Sequence, residues 1–185
     1  MIRTSESSPV MSQFLLWSSI YDAAVPIARS YFLKTDGTLW GVGDNIDSTI
    51  GNGSTDELIA SPQQILSDVV EIGNGMDGFF AILKDGTLWR WAHHDPDDST
   101  KVFKIPVQVS GIANAKSVAR IAGVSGGAIT LVLTEGGKVY GFGIHNEFGS
   151  IGDGTMQRRG APVLFKNFEN IFQVDAGFYH SAAIK

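Results

Sequence analysis

Four groups of residues in this chain carry chemistry that a fold could use. His93-His94-Asp95, followed by Asp97 and Asp98, gathers the imidazoles and carboxylates of a transition-metal site. Adjacent side chains on an extended chain point to opposite faces, however, so the two histidines do not converge on one ion. The Asp-x-Asp-Asp run also lacks the spacing of a calcium loop. This segment is expected to be a solvated acidic loop that holds no metal. His180-Ser181 places a base beside a hydroxyl, but strand neighbours diverge and do not make a nucleophile–base pair. The glycine runs from Gly41 and from Gly141 would cradle a phosphate only between a strand and a helix with a basic residue following, and neither condition is met. Arg158-Arg159, on the stretch after the last glycine run, is a solvated pair and no nucleic-acid stripe. No catalytic residue, cofactor or metal is expected from these groups, and the chain is expected not to be an enzyme.

Composition narrows the class. Hydrophobic residues make up 43% and charged residues 18%, a balance that belongs to a globular chain. The net charge of −5 removes the basic footprint of a nucleic-acid binder and favours a basic protein as partner. The absence of cysteine excludes disulfides, Cys–zinc sites and a Cys nucleophile. No apolar run approaches the roughly 18 residues that span a membrane. Phe14 to Trp17 is too short for the core of a signal peptide, so a cytoplasmic location without membrane contact is expected.

The 22 glycines imply many tight turns, and many turns imply many short strands. Their placement is periodic. Leu33-Lys34-Thr35-Asp36-Gly37-Thr38-Leu39-Trp40 returns as Leu83-Lys84-Asp85-Gly86-Thr87-Leu88-Trp89 and, diverged, as Leu133-Thr134-Glu135-Gly136-Gly137-Lys138-Val139-Tyr140, about 50 residues apart each time. Ala183-Ile184-Lys185 begins a further copy. Asp-Gly between apolar segments predicts a hairpin whose two central residues both take φ > 0. A strand precedes each hairpin, at Ile20 to Val25, Val69 to Ile72, Val118 to Ile121 and Ile171 to Val174. Another is expected to open each unit at a proline: Pro9-Val10, Pro62-Gln63, Pro106-Val107 and Pro162-Val163. The predicted fold is all-β, with propeller-type blades of four antiparallel strands and about three and a half repeats. A disordered segment 1–8 precedes a repeat domain 9–185, with units 9–61, 62–105, 106–161 and an incomplete 162–185.

The stretch after each hairpin carries a family resemblance. Gly41-Val42-Gly43-Asp44-Asn45 leads to Ile50-Gly51-Asn52-Gly53, and Gly141-Phe142-Gly143-Ile144-His145-Asn146 leads to Ile151-Gly152-Asp153-Gly154. Together with Ala176-Gly177-Phe178-Tyr179-His180-Ser181-Ala182-Ala183 they resemble the repeats of the regulator of chromosome condensation family, over roughly residues 9–185. The resemblance implies a β-propeller, usually a ring of about seven blades, of which this chain holds about half. Two copies pairing edge to edge would approximate such a ring. It also implies a His-Ser pair that is a framework element. The second unit departs from the pattern: its glycine loop is replaced by Trp91-Ala92-His93-His94-Asp95-Pro96-Asp97-Asp98-Ser99-Thr100-Lys101-Val102-Phe103.

Function is expected to be non-catalytic protein binding, in the manner of an inhibitor or scaffold, because loops on a rigid framework carry recognition. Trp91, His93, His94 and Phe103 are the expected anchors, with Arg158 and Arg159 as further contacts. The resemblance also raises an exchange factor for a small GTPase as an alternative, and an enzyme of unknown reaction is the remaining one.

Overall fold

The structure, a computed structural model, describes residues 20–24, 29–75, 78–92, 94–95, 98–122, 128–143, 146–176 and 180–185. Segment 1–8, Pro9-Val10 and His93 lie outside the described residues. The described residues are β-strands and turns, apart from one 3-10 turn at Ile46–Ser48.

The first sheet has β1 (Ile20–Ala24), β2 (Arg29–Lys34), β3 (Leu39–Asp44) and β4 (Leu58–Leu66) in that order, all antiparallel. The second has β5 (Val69–Gly75), β6 (Gly78–Leu83), β7 (Leu88–Trp91) and, beyond an insertion, β10 (Val107–Gln108). The insertion is its own small ladder of β8 (His94–Asp95) and β9 (Asp98–Val102). The third sheet runs β11 (Ala115–Ala122), β12 (Ala128–Thr134), β13 (Val139–Gly143) and β14 (Arg159–Leu164). A two-stranded sheet follows, made of β15 (Gln173–Ala176) and β16 (Ser181–Ile184).

Two expectations change here. The proline strands close their sheets instead of opening the next: Gln63 pairs with Gly41, Val107 with Arg90 and Val163 with Gly141. Each follows the loop that returns the chain along the outer edge of the hairpin it has just left. An edge strand also tolerates the missing proline N–H. The hairpin turns differ as well. Gly86 N donates to Leu83 O at 2.9 Å and Leu83 N to Thr87 O at 3.0 Å, so three residues make the turn. Gly37, Gly86 and Gly137 have φ of 83°, 77° and 68°, whereas Asp36, Asp85 and Gly136 do not take positive φ. This is a turn followed by a glycine bulge, in which only the last residue needs the left-handed region.

These glycines also join the sheets. The carbonyls of Gly37, Gly86 and Gly137 accept from Val69 N, Ala115 N and Ile171 N, the entry to the next sheet, at 2.9, 2.9 and 3.1 Å. The preceding residues Asp68, Asn114 and Asn170 have φ near +58°, +54° and +59°, which Asp and Asn tolerate best after glycine. Apolar side chains then fill each junction. Tyr31, Leu33, Ile50, Phe79 and Trp91 pack between the first and second sheets. Phe80, Ile82, Leu88, Val132 and Phe142 pack between the second and third. Leu131, Leu133, Val139, Ile151 and Phe165 pack between the third and fourth.

Candidate functional site

The connections between the third and fourth strands of the sheets are where the repeats differ, and those of the first and third units are built on the same stem. In the first unit Asn45, 1% exposed, holds the loop closed. Its Nδ2 donates to Ser54 O and Asp56 O, and its Oδ1 accepts from Ile50 N. Asn146 does the same in the third unit, donating to Thr155 O and Gln157 O and accepting from Ile151 N at 2.9 Å. One buried amide thereby satisfies three backbone groups that the loop would otherwise leave unpaired. Sequence reasoning gave these asparagines no role. The signal was present, as an Asn five residues before an Ile-Gly pair in both runs.

The third-unit loop has an added brace. Arg159 Nε lies 2.5 Å from Asp153 Oδ2, and Arg159 Nη2 donates to Thr155 Oγ1 at 3.2 Å. Burial raises the Asp153 carboxyl, but the hydrogen bonds from Thr155 and Arg159 outweigh it and hold the group below its ordinary value. Arg159, an expected partner contact, is thus engaged within its own loop, whereas Arg158 is exposed.

The second unit has no such asparagine at the matching place. Its chain leaves β7 at Trp91 and Ala92 and makes the β8–β9 hairpin, where His94 pairs with Val102 and Asp95 with Asp98. It returns at Phe103, whose carbonyl accepts from Ala92 N at 2.7 Å. The Arg90 guanidinium lies over the Phe103 ring, 4.8 Å from its centroid. Phe103 is half-buried at the base of the hairpin.

Trp91, also an expected anchor, is 1% exposed and belongs to the core. Its ring centroid is 5.9 Å from that of Tyr31 and 5.7 Å from that of Phe79. A Cβ on Gly51 would meet the Trp91 ring at 2.5 Å, so the glycine makes room for the indole. Burial pushes the Tyr31 phenol above its ordinary value, and its hydroxyl donates to Thr49 O at 2.7 Å. The core role of Trp91 was hidden in the sequence because its pocket comes from a loop some 40 residues earlier. Ser181, for its part, uses its hydroxyl to bond Ser150 O at 2.8 Å, joining the fourth sheet to the third. This fits a framework role.

Among the described residues no three His, Asp or Glu side chains gather to hold a metal ion. None of the helical structure among them is long and apolar enough to cross a membrane. The described architecture is that of β-propeller blades, linked turn to strand and carrying one modified rim connection.

Comparison with known proteins agrees. Residues 136–184 match the family model described as the regulator of chromosome condensation repeat. The human probable E3 ubiquitin-protein ligase HERC6 is 27% identical over 84% of this chain and 16% of that protein. The human E3 ubiquitin-protein ligase HERC2 is 29% identical over 97% of this chain and 4% of that protein. Among solved structures, Prp20p of Saccharomyces cerevisiae superposes with a TM-score of 0.70 and 20% identity over 95% of this chain and 48% of that one. Human WBSCR16 gives a TM-score of 0.69 at 16% identity over 89% of this chain and 44% of that one. The chain is therefore similar to the regulator of chromosome condensation repeat over residues 136–184 and shares the blade fold of these solved structures. It spans less than a fifth of these two curated relatives and just under half of these two solved structures.

Proposed function

We propose that this chain is a non-catalytic protein-binding module whose contact rim is built around the β8–β9 hairpin. The observation that supports this reading is the replacement of one glycine loop by a hairpin while the sheet beneath keeps its four strands. Loops on a rigid scaffold vary where they recognise and keep their form where they only connect. His93, His94 and Phe103 belong to this segment. Arg158 lies on the corresponding connection of the next sheet, the same rim by topology. Trp91 and Arg159 support that rim from within. The net charge of −5 suits a basic partner surface. Solved relatives bind proteins, as shown by yeast Prp20 in complex with Kap60 and by Prp20p studied with Gsp1p and histones.

The test is a graft. Residues 93–103 are replaced by the glycine loop of the first unit, residues 44–57, and a captured partner is titrated against both proteins after their thermal melts are compared. The reading expects affinity to fall at least tenfold with the melt preserved. Equal affinity would place recognition elsewhere. Hydrolysis of any member of a hydrolase substrate panel would contradict the non-catalytic part.

A further inference from the structure

The turn of the third unit has lost the side chains that fill the same place in the second, and an open cavity stands there. Hairpin register makes Gly136, Lys138 and Tyr140 the counterparts of Asp85, Thr87 and Trp89. In the second unit the Asp85 carboxylate accepts from Thr87 N at 2.9 Å and from Thr87 Oγ1 at 2.7 Å. In the third unit Thr134 Oγ1 takes over the backbone part of that duty, accepting from Lys138 N at 3.2 Å. The glycine at 136 has no backbone cause. It does not take positive φ, and a Cβ there would meet nothing within 4 Å. Gly136, Lys138, Tyr140 and Thr134, together with residues 111–114, line an open cavity of about 490 Å³. The linker that supplies this wall is extended: residues 109–114 lead into β11, whereas only residues 67–68 lead into β5.

Charge changes sign along with shape. Where the first sheet joins the second, Lys84 Nζ lies 3.5 Å from Asp68 Oδ1, and Asp85 adds a second carboxylate. At the next joint Glu135 stands for Lys84 and Asn114 for Asp68, with the same backbone bond from Glu135 N to Asn114 O at 2.9 Å. Lys138 is exposed on the turn. Lys116 is exposed in the strand bulge beside Thr134, the position Val70 holds in the preceding sheet. Asp68, Lys84 and Asp85 thus leave one net negative charge, whereas Lys116, Glu135 and Lys138 leave one net positive charge. Among the described residues no carboxylate lines the cavity.

We propose that this cavity binds an aspartate or glutamate side chain of a partner polypeptide, its carboxylate paired with Lys138. The second unit supplies the template, since there the chain's own Asp85 provides the carboxylate. A charge-assisted bond to an ammonium is stronger than the neutral one a threonine makes. The open mouth suits a side chain projecting from a larger partner more than a small ligand, which a pocket normally buries almost completely. The site lies at the turn end of β13, and the connection toward β14 leaves from the other end. It is therefore separate from the β8–β9 hairpin rim, and either can fail without the other.

The probe is the capped peptide acetyl-Ala-Asp-Ala-amide, titrated into the whole chain with amide resonances followed. Its neutral counterpart with Asn and free acetate are run beside it. The expected result is saturable shifts at residues 111–114 and 136–140, with affinity at least tenfold weaker for the Asn peptide and for acetate. Lys138→Met, at an exposed position, is expected to weaken the Asp peptide at least tenfold. Gly136→Asp, which restores the carboxylate from within, is expected to do the same. Thermal melts of both variants are expected to match the parent. Absence of saturable shifts, equal binding of the Asp and Asn peptides, or unchanged affinity in Lys138→Met would overturn the proposal. Acetate binding as tightly as the Asp peptide would overturn the assignment to a polypeptide.

Discussion

The Asp-Gly-Thr-Leu-Trp motif is a hydrogen-bond relay. Trp40 Nε1 donates to Thr38 Oγ1 at 2.8 Å, and Thr38 Oγ1 donates to Asp36 Oδ1 at 2.6 Å, which also accepts Thr38 N. Trp89, Thr87 and Asp85 repeat it at 2.9 and 2.7 Å. The motif recurs as a block because each residue needs the next. The side-chain and backbone hydrogen bonds from Thr38, helped by Lys34, lower the Asp36 carboxyl to about 2. A carboxyl depressed on folding contributes stability above its unfolded value, and that contribution is lost as pH falls through the folded value. Thr38→Val is therefore expected to move the Asp36 midpoint up toward 3.8, its ordinary value, in a carboxyl-carbon NMR titration. A midpoint that stays near 2 would mean that the threonine is not the cause.

At the scale of the element, the glycine after each turn has two duties. Gly86 takes φ +77°, and a Cβ there would stand 2.7 Å from Asn114 Cα in the next sheet. Gly86→Val combines left-handed strain with overpacking against backbone, a cost of about 2–4 kcal/mol. Urea unfolding measures it, and an unchanged midpoint would deny the turn-to-strand joint. Removing the loop clamp is a second test. Asn146→Ala strips partners from Ile151 N, Thr155 O and Gln157 O. It is expected to cost about 2–4 kcal/mol, while a change at an exposed position, Lys166→Ala, stays within about 0.5 kcal/mol.

The elements also show what a sequence discloses. The hairpins were legible because turn and period are local: β2–β3, β6–β7 and β12–β13 fall where the Asp-Gly and Gly-Gly pairs put them. The pairing of the proline strands was not, since Gln63 meets Gly41 only after a loop brings the chain back. Trp91 looked like a surface anchor because it borders an irregular segment, yet its surroundings come from the preceding sheet. The departure of the second unit was visible, but its form as the β8–β9 hairpin was not, because neither arm is long or strongly β-patterned.

At the scale of the whole molecule, the sheets are held by repeated joints: glycine carbonyl to strand entry, aromatic to aromatic, buried asparagine in the loop. Under the proposed function, a framework joined so regularly leaves its specificity to the rim connection that breaks the rule among the described residues, and that is the central claim. Amide hydrogen exchange on the full chain, with and without a captured protein partner, tests it most directly. The account predicts that bound partner slows exchange in β8, β9 and the 102–105 return, with smaller effects at Arg158 and none in the glycine loop 51–57. Protection confined to other parts of the molecule, with residues 94–105 exchanging as in the free chain, would contradict it.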